Sequence, residues 1–138
     1  MKHKILKIDP YLAPFAGDFD LRMSHYAEKM AQLGDLREFA KGYAYFGFHK
    51  TPDGWYYREW APGAEKVYLT GSFCDWERYR YPLKALENGI WELFLPKNAL
   101  KHGDIVQTLV VSGGKELERI PLYANYVVQD PENHSWNA

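Results

Sequence analysis

From residue 18 to residue 42, apolar side chains recur every three or four positions. Phe19, Met23, Tyr26, Met30 and Leu33 fall on one face of a helix, with Arg22, Glu28, Lys29 and Gln32 on the others. Asp18 is placed to cap this helix at its start and Gly34 to end it. A second helical stretch, Asp35 to Lys41, has Leu36, Phe39 and Ala40 as its apolar side, with Asp35 as cap and Gly42 as stop. The preceding segment, with Pro10 and Pro14, reads as an extended lead-in.

From Tyr43 the period changes to two. Tyr45 to Lys50 reads as a strand, Thr51-Pro52-Asp53-Gly54 as a turn, and Trp55 to Trp60 as the return strand, ended by Ala61-Pro62-Gly63. Further strands are expected at Lys66 to Gly71, Ile90 to Leu95, Asp104 to Val111 and Tyr123 to Gln129. Turn residues separate them at Glu87-Asn88-Gly89, Lys101-His102-Gly103 and Ser112-Gly113-Gly114. The pattern predicts a mainly β fold: an immunoglobulin-like antiparallel β-sandwich over residues 43–138, preceded by a short α-helical arm over residues 1–42. A parallel sheet is not expected, because no βαβ alternation is present.

Side-chain chemistry narrows the function classes. The 138 residues fit one ordinary domain, and 17 basic against 18 acidic side chains give no reason to expect a nucleic acid or a membrane surface as partner. Aromatic residues make up 17% of the chain, enough to supply both a small β core and flat rings for a ligand. Cys74 is the single cysteine, so no internal disulfide forms, which points to a reducing compartment. The start, Met1 to Asp9, is basic and lacks a signal-peptide apolar run, and no stretch approaches the ~20 apolar residues of a membrane span. The expected setting is cytoplasmic.

No catalytic, cofactor-binding or metal-binding pattern stands out. The histidines at 3, 25, 49, 102 and 134 lack ligand spacing, and a nucleophile elbow, a phosphate loop and a dinucleotide fingerprint are all missing. Gly113-Gly114 reads as a hairpin turn. Arg58 and Glu59 point to opposite faces of their strand, so each is expected to pair with a cross-strand neighbour. Trp60 is expected to play a structural part and to stack with Arg58 on their shared face, and Trp91, mid-strand with Ile90 and Leu93, to lie in the core.

One series of segments is specific in combination. It runs Phe46-Gly47-Phe48-His49, then Tyr57-Arg58-Glu59-Trp60-Ala61-Pro62-Gly63-Ala64, then Val67 through Gly71-Ser72-Phe73-Cys74-Asp75-Trp76, with Gly89-Ile90-Trp91-Glu92 and Arg119-Ile120-Pro121 downstream. This series resembles the amino-terminal region of 1,4-α-glucan branching enzymes, including its family 48 carbohydrate-binding module. The lead-in Leu6 to Leu12 and the helical arm are similar to that family's eukaryotic-type subgroup.

The resemblance implies that the catalytic (β/α)8 barrel, which needs ~250 residues, lies beyond Ala138. This chain is therefore expected to carry no catalytic residue. The partners implied are an α-1,4-glucan (glycogen or a maltooligosaccharide), held weakly, and the catalytic barrel itself. Trp76 matches a tryptophan that contacts glucan in starch-binding members, so Trp76, Asp75 and Gln107 are the candidate glucan-binding residues. An indole stacks on the C–H face of a sugar while planar polar groups meet its hydroxyls. The same members carry a lysine where Gln107 stands and a second tryptophan in the following hairpin, which here reads Gly113-Gly114-Lys115-Glu116-Leu117. Two readings of Trp76 stay open: it stacks on sugar, or it packs on the arm or the barrel. In the bracing reading, Phe19, Tyr126 and Trp136 belong to an apolar patch exposed for a missing partner.

Overall fold

The computed structural model describes residues 3–138; Met1 and Lys2, the first two residues of the expected arm, lie outside the described residues. The chain divides into two compact units, Met1–Lys41 and Gly42–Ala138.

The described residues of the first unit are mainly helical. The lead-in is not extended: α1 spans Ile5–Ile8 and a 3-10 helix spans Pro10–Phe15. Asp9 makes the transition, its carboxylate accepting from the Tyr11 N–H at 3.0 Å just ahead of Pro10, whose fixed φ suits a helix start. The 3-10 turn feeds directly into α2, Ala16–Leu33. Asp18 therefore sits inside the first turn, favourably placed for the helix dipole, and is not the cap. Gly34 ends α2 at φ +70°, and Asp35 caps α3, Leu36–Phe39, by accepting from the Arg37 N–H at 2.8 Å. His3 binds Asp20 at 2.8 Å and its ring lies 5.8 Å from that of Phe19, which leaves Phe19 half-buried, not exposed.

The second unit is built from strands β1 Gly47–Lys50, β2 Gly54–Trp60, β3 Lys66–Gly71, β4 Tyr81–Pro82, β5 Lys84–Ala85, β6 Ile90–Pro96, β7 Val106–Ser112, β8 Lys115–Arg119, β9 Val128–Gln129 and β10 Trp136–Asn137. Two four-stranded antiparallel sheets form, in the orders β1-β2-β6-β5 and β4-β3-β7-β8, with β9 and β10 as a separate pair. Tyr57, Trp91 and Leu95 from the first sheet meet Val67, Leu69 and Val106 from the second in one core, with Leu83 between them. The antiparallel sandwich stands, and Trp91 lies in its core as expected.

Two strand assignments change. Tyr123 to Gln129 is not a continuous strand, since only Val128 and Gln129 pair. A strand not expected from the sequence, β8, pairs with the edge of β7 away from β3 and is joined to it through Gly113 and Gly114 at φ +56° and +71°, a conformation that glycine takes without cost. Its composition, Lys-Glu-Leu-Glu-Arg, is that of a charged edge strand, which shows little of the apolar alternation of a core strand.

The sheets are also bridged by a polar network inside the sandwich. The Tyr57 hydroxyl donates to Glu59 Oε2 at 2.6 Å and accepts from Thr108 Oγ1 at 2.6 Å. Glu59, 1% exposed, also accepts from Arg119 Nη2 at 3.2 Å and from the Leu122 N–H at 3.2 Å. Glu59 thus reaches the opposite sheet; the residue directly across from it on β6 is Trp91, so the expected cross-strand partner is replaced by one 60 positions along the chain. Arg58 does pair across the strand, its Nε 2.6 Å from Glu92 Oε2.

Burial, and then the Glu59 charge, pushes the Tyr57 phenol well above its ordinary value. The unfolded chain loses that proton near pH 10 while the folded chain keeps it, so this contribution is whole below about pH 10 and is lost as pH rises further. Urea midpoints measured between pH 9 and pH 11 are expected to fall more steeply for the wild type than for Tyr57→Phe, although the variant starts lower.

Candidate functional site

Between β3 and β4 the chain crosses the outer face of the second sheet. Cross-strand partners share a face, so Tyr68, Thr70, Gln107 and Leu109 all belong to that face. A short 3-10 turn, Ser72–Cys74, begins the crossing. Cys74 is buried beneath it, its Sγ 3.4 Å from the Gly71 carbonyl oxygen and 3.9 Å from Thr70 Oγ1. At the far side the loop is fastened to β8: Arg78 lies 3.0 Å from Glu116 and 3.1 Å from Glu118, and the Tyr79 hydroxyl donates to Glu116 at 2.8 Å. That bond to the carboxylate raises the Tyr79 phenol above its ordinary value. Tyr79 also meets the Tyr68 ring edge-on at 5.3 Å.

Between these anchors Asp75 and Trp76 both take left-handed backbone angles, φ +52° and +61°. Two successive non-glycine residues in this region are uncommon and costly. Closure of the turn holds them there, with the Trp76 N–H donating to the Gly71 carbonyl at 3.0 Å and the Glu77 N–H to the Cys74 carbonyl at 3.0 Å. Trp76 remains 45% exposed, and the exposed Asp75 carboxylate has no partner among the described residues. Gln107, half-buried, lies at the register position opposite Thr70, on the face that this loop crosses. The structure thus assigns the three candidate residues to one side of the sandwich, two on the loop and one on the sheet beneath.

Trp60 departs from its expected structural part. It is 49% exposed on the outer face of the first sheet, with its indole N–H donating to the Asn88 carbonyl at 3.1 Å. Arg58 stacks elsewhere, its guanidinium 4.4 Å from the centre of the Tyr45 ring and 5.1 Å from that of Tyr56. The strand alternation places Trp60 on the outer side, and only the neighbouring turns decide whether that side is covered. Among the described residues, no three or more His, Cys, Asp or Glu side chains are grouped to hold a metal ion, and no helix is long and apolar enough to cross a membrane.

The profile of carbohydrate-binding module 48 (isoamylase N-terminal domain) matches residues 45–124, more than half of the chain. This chain belongs to the carbohydrate-binding module 48 family. The matched range contains both sheets of the sandwich and all of the Trp76 loop. Over nearly its full length the chain is also similar to 1,4-alpha-glucan-branching enzymes: 40% identical to that of Felis catus, covering 97% of this chain and 21% of the relative. The Dictyostelium discoideum enzyme is 36% identical, covering 94% of this chain and 21% of the relative. The chain thus spans about a fifth of the length of the curated relatives it matches. Among solved structures, the pullulanase of Anoxybacillus sp. LM18-11 complexed with maltotetraose superposes with a TM-score of 0.54 at 18% identity, covering 67% of this chain and 13% of the pullulanase. The type I pullulanase of Bacillus subtilis, complexed with maltose, gives 0.51 at 20% identity, covering 61% and 11%. These two share the fold of the module.

Proposed function

We propose that this chain is the non-catalytic, amino-terminal α-glucan-binding module of a 1,4-α-glucan branching enzyme, acting in glycogen biosynthesis. Residues 1–42 form its helical arm and residues 43–138 its sandwich. The observation that carries the reading is Trp76: a large ring held half exposed, at a backbone angle that costs energy, on a loop fastened at both ends. A structural tryptophan would gain stability by turning inward, whereas a stacking platform requires a presented, fixed face. In this reading the indole stacks on one glucose ring while Asp75 and Gln107 meet the hydroxyls. The parent enzyme would cut an α-1,4 chain and rejoin it through an α-1,6 link, with this module holding glycogen or a maltooligosaccharide near the barrel that does so. Membership of a carbohydrate-binding family and similarity to branching enzymes support this assignment. The buried, single Cys74 supports a cytoplasmic setting.

With one stacking platform and a shallow surface, affinity for maltoheptaose is expected at ~mM. Native gel electrophoresis through a glycogen-containing matrix tests the reading. The wild type is expected to be retarded and Trp76→Ala clearly less so, with a loss of about tenfold in affinity at the loop. Equal retardation of both proteins would refute the assignment of Trp76.

A second reading, that the module braces the catalytic barrel without binding sugar, draws on Tyr126 and Trp136, both well exposed around the β9–β10 pair. It predicts no retardation of either protein.

A further inference from the structure

The outer face of the first sheet carries an ordered set of side chains that the Trp76 site does not use. Cross-strand register sorts them into rows. Phe94, Tyr56 and His49 form one row across β6, β2 and β1, and Lys84, Glu92 and Arg58 form the next across β5, β6 and β2. Phe94 and Tyr56 pack with ring centres 5.1 Å apart, and Phe94 is 45% exposed. The Tyr45 ring, 41% exposed, covers the Arg58 guanidinium. Trp60 bounds the face at its other end, four residues along β2 from Tyr56 and so about 13 Å away.

The polar row is already rigid. Arg58 Nε is held by Glu92 at 2.6 Å and Nη1 lies 3.4 Å from the Tyr45 carbonyl oxygen, while Nη2 has no partner among the described residues. The Arg58–Glu92 pair cancels its own charge, which leaves Lys84 as the one cation of the row outside that pair. The face therefore offers flat apolar rings beside fixed, planar hydrogen-bonding groups. That combination matches a neutral polyhydroxylated chain, whose C–H faces lie on rings and whose hydroxyls reach guanidinium and carboxylate edges.

We propose that the face formed by Tyr45, Tyr56, Arg58, Glu92 and Phe94 is a second α-glucan surface, on the opposite side of the sandwich from Trp76. It rests on the α-glucan reading of the module for its ligand class, but not on Trp76. Two surfaces back to back let one module engage two chains or two turns of the same branched glucan, which raises avidity without a tight individual site.

The test is a maltoheptaose titration of the isotopically labelled 138-residue chain to ~10 mM, read by amide NMR shifts in the wild type, Trp76→Ala and Phe94→Ala. Saturable shifts at Tyr56, Arg58, Glu92 and Phe94 are expected in the wild type and in Trp76→Ala. In Phe94→Ala this set should need about fivefold more sugar while shifts around residues 72–79 are unchanged. Shifts confined to residues 72–79 and 107 would overturn the second surface and leave the proposed function standing. Shifts on the first sheet alone would uphold it and overturn the Trp76 reading, and shifts on neither would overturn both. Equal response to cellohexaose would overturn the α-glucan assignment. Concentration-dependent shifts of this face without sugar would overturn the proposal in favour of self-association.

Discussion

Glu59→Ala is expected to destabilise the module by about 3 kcal/mol, the scale for removing the shared buried acceptor of several hydrogen bonds while its partly exposed cation partner, Arg119, remains solvated. The carboxylate is the common acceptor for Tyr57, Arg119 and Leu122, so its removal leaves the buried phenol with Thr108 alone, the Arg119 Nη2 with the Trp60 carbonyl alone, and the Leu122 N–H without this acceptor. Water reaches Tyr57 poorly, because that side chain is fully buried. The loss should also free the segment after β8, which Glu59 fastens through the Leu122 N–H. Glu59→Gln keeps the shape and an acceptor but gives up the charge opposite Arg119, and should lose less. Urea denaturation of the three proteins at neutral pH measures both losses; a Glu59→Ala midpoint equal to that of the wild type would show that the network contributes nothing.

Gly71→Ala is expected to be comparably harmful, at about 3 kcal/mol, and to abolish sugar binding at the Trp76 loop as well. A Cβ at this position would meet the Ile105 carbonyl oxygen and stand 3.0 Å from the Val106 Cα. Both are backbone atoms of the segment that enters β7, so neither can swing aside. The carbonyl of Gly71 is also the acceptor that closes the turn on the Trp76 N–H. Gly63→Ala is the matched control, since a Cβ there meets nothing within 4 Å; its stability should stay within about 0.5 kcal/mol of the wild type. Thermal melts of the two variants against the wild type provide the comparison, and equal melting temperatures for Gly71→Ala and Gly63→Ala would contradict the packing argument.

Local patterns in the sequence were sufficient wherever the determining contacts were local. The α2 stop at Gly34, the Asp35 cap, the hairpin at Gly113-Gly114 and the pairing of Arg58 across its strand all depend on nearby backbone preferences or on alternation. Trp91 in the core follows from the same alternation. What escaped reading depended on contacts between sheets. Glu59 looks like any strand carboxylate until the second sheet brings Arg119 and Thr108 against it. Strand β8 has the composition of a surface segment because it is an edge, and β4 and β5 are two residues each, too short to leave a period.

The candidate site divides along the same line. Trp76 was legible as a ring following a strand and turn residues. Its left-handed backbone was not, and neither was the anchoring of its loop, because Arg78 and Tyr79 reach Glu116 across the sheet only after folding. Trp60 shows the converse: a side chain expected to be structural stands half in solvent because the adjacent turn, at Asn88, holds its N–H without covering its ring.

The central claim is that Trp76 presents its ring to α-glucan. The indole N–H resonance of Trp76, assigned by its loss in Trp76→Ala and followed while maltoheptaose is added to the wild-type chain, tests this most directly. A saturable shift of that resonance, with half-saturation at ~mM, is the predicted result. An indole resonance that stays in place up to ~10 mM sugar would contradict the claim and, with the amides of the first sheet also unmoved, leave barrel bracing as the better account of this module.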